Sequence, residues 1–325
     1  GMRGRYNEIM RLRERVADLK AQRKELQGRG KKPTAESLAV KAERAERVGW
    51  LSQHVPFNVI DRCVFVSLKH RYFYVETPKA GCSSVKLTLQ RIEIGDTDRE
   101  FDNFGVHSRD LLPLLKPSQV ANLHELVSSG SLRRFVFVRN PYTRVLSAYL
   151  QKIRDPDHHR NWVLRGMESL AEFEGREIPF RVFLEAVARQ PVSAMDTHWR
   201  PQFHQCFFEQ VDFDFIGRFE SLNGDMIEAM AGFGGEEYLS RHSPHATSAS
   251  KKVAEFYDPG TLALVSEIYA EDFDHLGYRT LDSLPADPEE IAVSLSAFGR
   301  VRSRPPAYID VRDLKRSPAG AGHRF

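Results

Sequence analysis

The sequence predicts an α/β fold with a central parallel sheet, preceded by an N-terminal helical extension. Three observations predict it. The run Tyr72 to Lys86, YFYVETPKAGCSSVK, reads as a buried strand, a proline-led turn, a loop of basic and small residues, and the first turn of a helix. A second unit, RRFVFVRNPYTRVLSAYLQKI from Arg133 to Ile153, repeats that order, and its run Phe135 to Val138 is continuously apolar, as in strands buried on both faces. The 325 residues, 41% hydrophobic and 28% charged, are enough for one domain of ordinary size with extensions.

Taken in order, Ile9, Leu12, Val16, Leu19 and Leu26 recur at spacings of three and four, a short heptad seam broken at Arg23. The seam can pair two copies of the chain into a homo-oligomer or dock on the protein's own body. GRGKKPT interrupts it, and a second helix runs from about Ala35 to Val48. The globular part starts near Trp50, so residues 1–49 are the helical extension, 50–280 the main domain and 281–325 a tail. Cys63 to Leu68 and Arg71 to Glu76 flank the polar pair Lys69 and His70, a hairpin whose second strand leads into the small-residue loop. Pro78 ends that strand, and a helix starts near Cys82 or Ser83 and reaches about Glu93. Gly95 to Gly105 is a polar surface loop delivering His107. Ser108 suits the N-cap of a helix through Leu111 and Leu112, and Pro117 opens another as far as Ser129.

In the second unit Arg139 stands at the strand's carboxyl end and Pro141 occupies a first helical position. Val145, Leu146, Tyr149, Leu150 and Ile153 mark the apolar face of the helix. Asp155 to Arg176 is an irregular insertion. A helix over Pro179 to Arg189 follows, then a loop rich in Trp, His and Arg, a strand over Phe213 to Ile216 and a helix from about Ser221. The last core element is the helix Pro259 to Glu271. Beyond Thr280 the chain is rich in Pro, Arg and Gly without apolar periodicity, which predicts an irregular tail.

The first loop has the parts of an anion site. Ala80 and Gly81 let the backbone approach, Ser83 and Ser84 supply hydroxyls, the helix start supplies N–H groups, and Lys79 supplies a point charge. It is no Walker loop, because Lys79 precedes the only glycine. Arg139 and Ser147, about two turns into the next helix, can converge on a second anion at the carboxyl edge of the sheet, where open α/β sheets bind ligands. Cys82 sits at the helix start, where a thiol pKa can fall; a small buried residue is the other reading.

Composition narrows the partners. Residues 1–49 hold 14 Lys and Arg against 7 Asp and Glu, or +7, and the remainder holds 33 against 37, or −4. A body of that sign argues against nucleic acid, which needs a broad basic face. No run is long and apolar enough for a membrane span, the charged N-terminus lacks a secretory core segment, and three scattered cysteines suit a reducing, cytoplasmic setting. The histidines show no zinc-ligand spacing, and no carboxylate marks a magnesium site, so no metal is expected.

With both units in view, the sequence resembles the sulfotransferases that use 3′-phosphoadenosine 5′-phosphosulfate (PAPS), and among them the carbohydrate sulfotransferase family 2. TPKAGCSS looks like that family's 5′-phosphosulfate loop and FVRNPYTRVLSAY like its 3′-phosphate motif. HWRPQ followed by Cys206, the run FDFIGRFE from Phe213 to Glu220, and IYAEDFDHLGY are similar to further family blocks, in family order from Tyr72 to Tyr278. The resemblance implies a P-loop-like three-layer fold and PAPS as co-substrate, with a carbohydrate or glycolipid hydroxyl as acceptor. By position it implies that Lys79 holds the bridging oxygen of the leaving phosphosulfate, that Ala80, Gly81, Cys82, Ser83 and Ser84 bind the 5′-phosphate, and that Arg139 and Ser147 bind the 3′-phosphate. The Golgi relatives carry a membrane anchor and this chain shows none, so a bacterial, cytoplasmic enzyme is expected. A kinase and a non-catalytic nucleotide- or glycan-binding module are the competing classes. Attack by a hydroxyl needs a proton acceptor, for which His107 is the expected general base, with His198 and Glu93 as rivals.

Overall fold

The computed structural model describes residues 35–100, 106–107, 114–154, 167–173, 176–240, 249–296 and 298–299. The Ile9 to Leu26 seam, with the homo-oligomer expected of it, lies outside these residues, as do the helix capped by Ser108 and most of the insertion after Asp155. The chain divides into two units, residues 1–46 and 47–325. Helix α1, Ala35–Arg47, matches the second predicted helix and leaves Leu38 and Val40 exposed.

Among the described residues the second unit has a sheet of four strands. Helix α2 (Phe57–Cys63) feeds β1 (Val64–Ser67), which pairs antiparallel with β2 (Tyr72–Val75); helix α3 (Cys82–Ile94) follows. After α4 (Leu123–Ser128), β3 (Arg133–Val138) pairs parallel with β2 and leads into α5 (Pro141–Lys152). Helices α6 (Phe180–Ala188) and α7 (Gln202–Gln205) precede β4 (Phe215–Arg218), which pairs parallel with β3 and continues into α8 (Leu222–Ala229). Helices α9 (Ala249–Phe256), α10 (Pro259–Ile268), α11 (Ala270–Leu276) and α12 (Pro288–Ser296) follow.

Period-two alternation sorts the strand residues into two cores. Val64, Val66, Phe73, Val75, Val136 and Val138 face Tyr142, Val145, Leu146 and Tyr149 of α5. Phe65, Tyr72, Tyr74, Phe135 and Phe137 face Val85, Leu89 and Ile92 of α3 and Met226 and Ala229 of α8. Helices cover both faces of the sheet, which is the predicted three-layer arrangement. Parallel pairing of β2, β3 and β4 brings the carboxyl ends of β2 and β3 to one edge, and each opens directly into a loop and helix.

Several elements differ from the sequence reading. Strand β4 starts two residues later than expected because Asp214 is held outside it: the carboxylate accepts from the backbone N–H of Arg134 at 2.7 Å and from its guanidinium at 2.6 and 2.9 Å. The helix expected from Pro117 to Ser129 is split into a 3-10 turn, Pro117–Gln119, and α4, with Ser118 hydrogen bonded through N and Oγ to Asp61. The helix expected from Pro259 to Glu271 breaks at Tyr269, whose phenol donates to the Trp199 carbonyl at 2.7 Å. The tail is not irregular throughout. Helix α12 buries Ile291 and Leu295, the Leu295 carbonyl accepts from Asn140 Nδ2 at 2.9 Å, and Phe298 bridges to Tyr278. One i, i+4 apolar pair is too short a pattern to be legible beforehand.

One buried cation joins three segments around the carboxyl edge. Arg144, in the second turn of α5, is 1% exposed; its Nε donates to the Pro78 carbonyl at 3.0 Å, Nη1 to Arg200 at 2.9 Å and Nη2 to Thr197 at 3.0 Å. Arg144→Leu leaves three interior carbonyls unpaired. At about 1 kcal/mol or more for each lost bond, the expected destabilisation is about 3 kcal/mol, read as a lowered urea midpoint with unchanged slope. An unchanged midpoint contradicts this role.

Candidate active site at the carboxyl edge of the sheet

The loop after β2 turns through two left-handed residues, Lys79 at φ 72° and Gly81 at φ 80°. For lysine that conformation is strained by about 1–3 kcal/mol and persists only where surroundings enforce it. Gly81 suits that φ without strain, and a Cβ there would also meet Leu222 Cδ2 at 2.7 Å and force that side chain to shift. The loop runs into α3, whose N-cap is Gly81 and whose first turn has neither a side-chain cap nor an acidic residue. An uncapped helix start bearing Ser83 and Ser84 is suited to an anion. The Lys79 ammonium donates to Gln151 Oε1 at 2.9 Å, and burial, with Arg139 and Lys152 nearby, lowers its pKa to about 8.

Arg139 reaches the same loop from the end of β3. Its Nη1 donates to the Lys79 carbonyl at 3.0 Å, its Nε to Thr143 Oγ1 at 3.0 Å, and its guanidinium stacks 4.2 Å over the Phe219 ring. Burial lowers its pKa to about 10, which leaves it fully charged near neutrality. Its backbone is bracketed by Gln202, which accepts from the Arg139 N–H and donates to the Arg139 carbonyl, both at 2.8 Å. Gln202 and Phe203 in turn donate their N–H groups to Asp272 at 2.9 and 2.8 Å. Ser147 is buried on α5, at 1% exposure.

The structure separates the three candidate bases. Glu93 lies near the C-terminal end of α3 and accepts from the Tyr72 phenol at 3.1 Å, beside the start of β2. It is at the edge of the sheet opposite the loop. His107 does stand by the loop: Nε2 is 3.1 Å from Ser83 Oγ and Nδ1 is 2.7 Å from the Lys86 ammonium, itself paired with buried Glu76 at 3.0 Å. An ammonium only donates, so Nδ1 is an acceptor and neutral His107 carries its proton on Nε2, facing Ser83. In that tautomer Nδ1 accepts from Lys86 and the Nε2–H faces Ser83 Oγ.

His198 has the opposite arrangement. Its Nδ1 lies 2.5 Å from Asp196 Oδ1, and its backbone N–H donates to the same oxygen at 2.9 Å. An Nδ1–H bound to a carboxylate leaves the Nε2 lone pair available. Burial lowers the His198 pKa, opposed by Asp196 and reinforced by the Lys152 and Lys79 charges nearby, so the ring is neutral at pH 7. Burial alone would raise the Asp196 pKa, but the bonds from His198 outweigh it and hold it at about 2. Cys82 is no thiolate: desolvation and the Glu76 carboxylate push it up to about 11.

Sequence reasoning missed Arg144, Gln202 and Asp196. Arg144 and Gln202 stand inside quoted motifs, yet their partners are backbone atoms brought near only by folding. Asp196, two residues before His198, was the one legible signal, since that spacing suits an Asx-type contact.

Residues 62–279 match the model of the sulfotransferase family, which is more than half of the chain. Similar curated proteins include carbohydrate sulfotransferase 8 of Mus musculus, 26% identical over 66% of this chain and 55% of the relative, and carbohydrate sulfotransferase 9 of Homo sapiens, 26% identical over 73% and 56%. Carbohydrate sulfotransferase 10 of Xenopus laevis is 24% identical over 68% of each chain. The chain spans just over half the length of the first two of these relatives. No solved structure matches. The matched segment contains the four described strands, the strained loop and the Arg139 shell, and on it the chain belongs to the sulfotransferase family.

Proposed function

We propose that the protein transfers the sulfuryl group of PAPS to a hydroxyl of a carbohydrate acceptor, free or lipid-linked, by in-line displacement. The observation that carries this reading is the left-handed Lys79–Gly81 loop at an uncapped helix start, tied through the Lys79 carbonyl to Arg139. That arrangement offers two cationic anion sites on one sheet edge. Free thiols at Cys63, Cys82 and Cys206 suit a reducing compartment, and a cytoplasmic location is part of the same proposal.

In this reading the 5′-phosphosulfate lies on the N–H groups and hydroxyls at the start of α3, and the 3′-phosphate meets Arg139 and Ser147. As the acceptor oxygen attacks sulfur, the S–O bond to the bridging oxygen breaks and charge grows on the leaving phosphate. Lys79 exchanges its bond to Gln151 for that oxygen and stabilises the charge in a site of low dielectric constant. His198 takes the acceptor proton on Nε2, with Asp196 fixing the tautomer and stabilising the imidazolium that forms. His107 orients the Ser83 hydroxyl and shares the Lys86 charge with Glu76.

Transfer of labelled sulfate from PAPS to the host's own glycans tests the activity, and absence of transfer to any glycan or glycolipid hydroxyl counts against it. Arg139→Ala is expected to weaken adenosine 3′,5′-bisphosphate binding about ten- to a hundredfold, the worth of one or two charge-assisted bonds. Adenosine 5′-phosphosulfate, which lacks the 3′-phosphate, should lose far less; equal losses contradict the 3′ assignment.

The pH profile tests Lys79. The free enzyme needs the ammonium, so kcat/KM for PAPS should fall as pH rises through about 8, and Lys79→Arg, whose guanidinium stays protonated, should abolish that alkaline limb. A limb that survives in the arginine variant assigns it to another group.

Substitution of the histidines decides the base. His198→Ala should lower kcat by about 10²–10⁴ and remove the acidic limb of the profile, which burial places below the ordinary histidine range. His107→Ala should act mainly on KM for PAPS through Ser83. The reverse pattern returns the role to His107.

A further inference from the structure

Away from the carboxyl-edge site, two histidines and a glutamate converge on a single point. His54 Nε2, His204 Nδ1 and Glu209 Oε2 lie within 4.8 Å of one another. Glu209 Oε2 is 3.3 Å from His54 Nε2 and 3.6 Å from His204 Nδ1. For metal bonds of about 2.0–2.2 Å, the edge of a coordination tetrahedron is about 3.3–3.6 Å, which matches both separations.

Hydrogen bonding does not account for the cluster. His204 Nδ1 and Glu209 Oε2 are both buried atoms with no hydrogen-bond partner, and the His204 side chain is only 8% exposed. The other His204 nitrogen, Nε2, is engaged by Glu271 Oε2. An Nε2–H donated to that carboxylate leaves a lone pair on Nδ1, aimed at the lone pairs of Glu209 Oε2. Two buried acceptors facing each other repel unless a cation stands between them. A histidine backed by a carboxylate on its far nitrogen is also the usual outer-shell device of zinc sites, where it fixes the ring and raises its basicity.

The segments are held for this purpose by contacts outside the cluster. Gln210 Nε2 donates to Gln53 Oε1 at 2.8 Å, fastening the residue after Glu209 to the residue before His54. Phe207, buried at φ 61°, makes the strained turn that carries the chain from α7 to Glu209. His54 and Glu209 are partly exposed, at 33% and 25%, so the cluster lies close to the surface.

We propose that His54 Nε2, His204 Nδ1 and Glu209 Oε2 bind one zinc ion, with Glu271 as the outer-shell partner of His204. Two imidazoles and one carboxylate form a donor set for a borderline cation such as Zn²⁺ in preference to Mg²⁺ or Ca²⁺, which favour oxygen. The ion takes no part in sulfuryl transfer. It fastens α7, the helix whose Gln202 brackets Arg139, to the loop before α2 and, through Glu271, to α11. The sequence showed no zinc spacing because the ligands come from distant segments that only folding assembles.

The test uses the full chain stripped with dipicolinate and titrated with ZnCl₂ against a chromophoric competitor. Wild type should bind one equivalent that His54→Ala and Glu209→Gln each weaken at least a hundredfold, with Glu271→Gln weakening it about ten- to a hundredfold. Zinc should raise the thermal midpoint of wild type and not of the His54→Ala chain, and Co²⁺ in its place should give the visible bands of a four-coordinate ion. His54 is on a partly exposed loop, so that variant should keep the wild-type circular dichroism without metal. Zinc binding equal in wild type and both ligand variants overturns the proposal. So does a wild type with no saturable zinc binding. Neither result bears on sulfotransfer, which is assayed separately.

Discussion

The guanidinium of Arg144 is the constraint on which the carboxyl edge of the sheet depends. Removing an arginine from water costs several kcal/mol, and it is tolerated here because Nε, Nη1 and Nη2 each meet a main-chain carbonyl within 3.0 Å. Those carbonyls belong to Pro78, Thr197 and Arg200, in segments far apart along the chain. Pro78 begins the strained loop, and Thr197 and Arg200 flank His198. One side chain therefore sets the relative positions of Lys79 and His198, the two groups proposed to act on opposite ends of the transferred sulfuryl.

A second layer of neutral bonds fixes Arg139. Gln202 closes a reciprocal pair with the Arg139 backbone, and Asp272 anchors Gln202 and Phe203 at the start of α7. With Nε and Nη1 of Arg139 committed to Thr143 and the Lys79 carbonyl, the guanidinium is held at a defined angle before any ligand arrives. Such preorganisation lets fixed charges stabilise a developing anion without reorganising as the reaction proceeds. The positive φ of Lys79 belongs to the same economy: the strain is borne by a loop that Arg144 and Arg139 grip from both sides.

Charge is distributed so that the site stays cationic without being indiscriminately basic. Lys86 is neutralised by Glu76, and the effect of burial on Glu76, which would raise its pKa, is overcome by Lys86 so that the carboxylate stays ionised. The Lys79 ammonium is held by a neutral acceptor, the Gln151 amide oxygen, which an incoming anion can replace. The two histidines thereby diverge in chemistry. His107 faces an ammonium, which occupies its lone pair; His198 faces a carboxylate, which accepts from its Nδ1–H and leaves the lone pair on the far nitrogen.

The sequence by itself determined the elements whose signal is local. Continuous apolar runs specified β2 and β3, Pro78 and Pro141 set where those strands give way to helices, and small residues between Lys79 and Ser84 marked the anion loop, because strand burial, fixed proline φ and glycine freedom act within a few residues. Only the tertiary structure decided which histidine stands beside an ammonium and which beside a carboxylate, what a side chain at Gly81 would meet, that residues after Thr280 include a helix packed under Asn140, and that His54, His204 and Glu209 meet. Each of those outcomes depends on a partner far along the chain: Lys86 for His107, Leu222 for Gly81, Asn140 for Leu295, the Gln53–Gln210 contact for the histidine cluster. Protonation state and coordination are properties of which atoms end up a few ångströms apart, and periodicity along one chain carries no information about that distance.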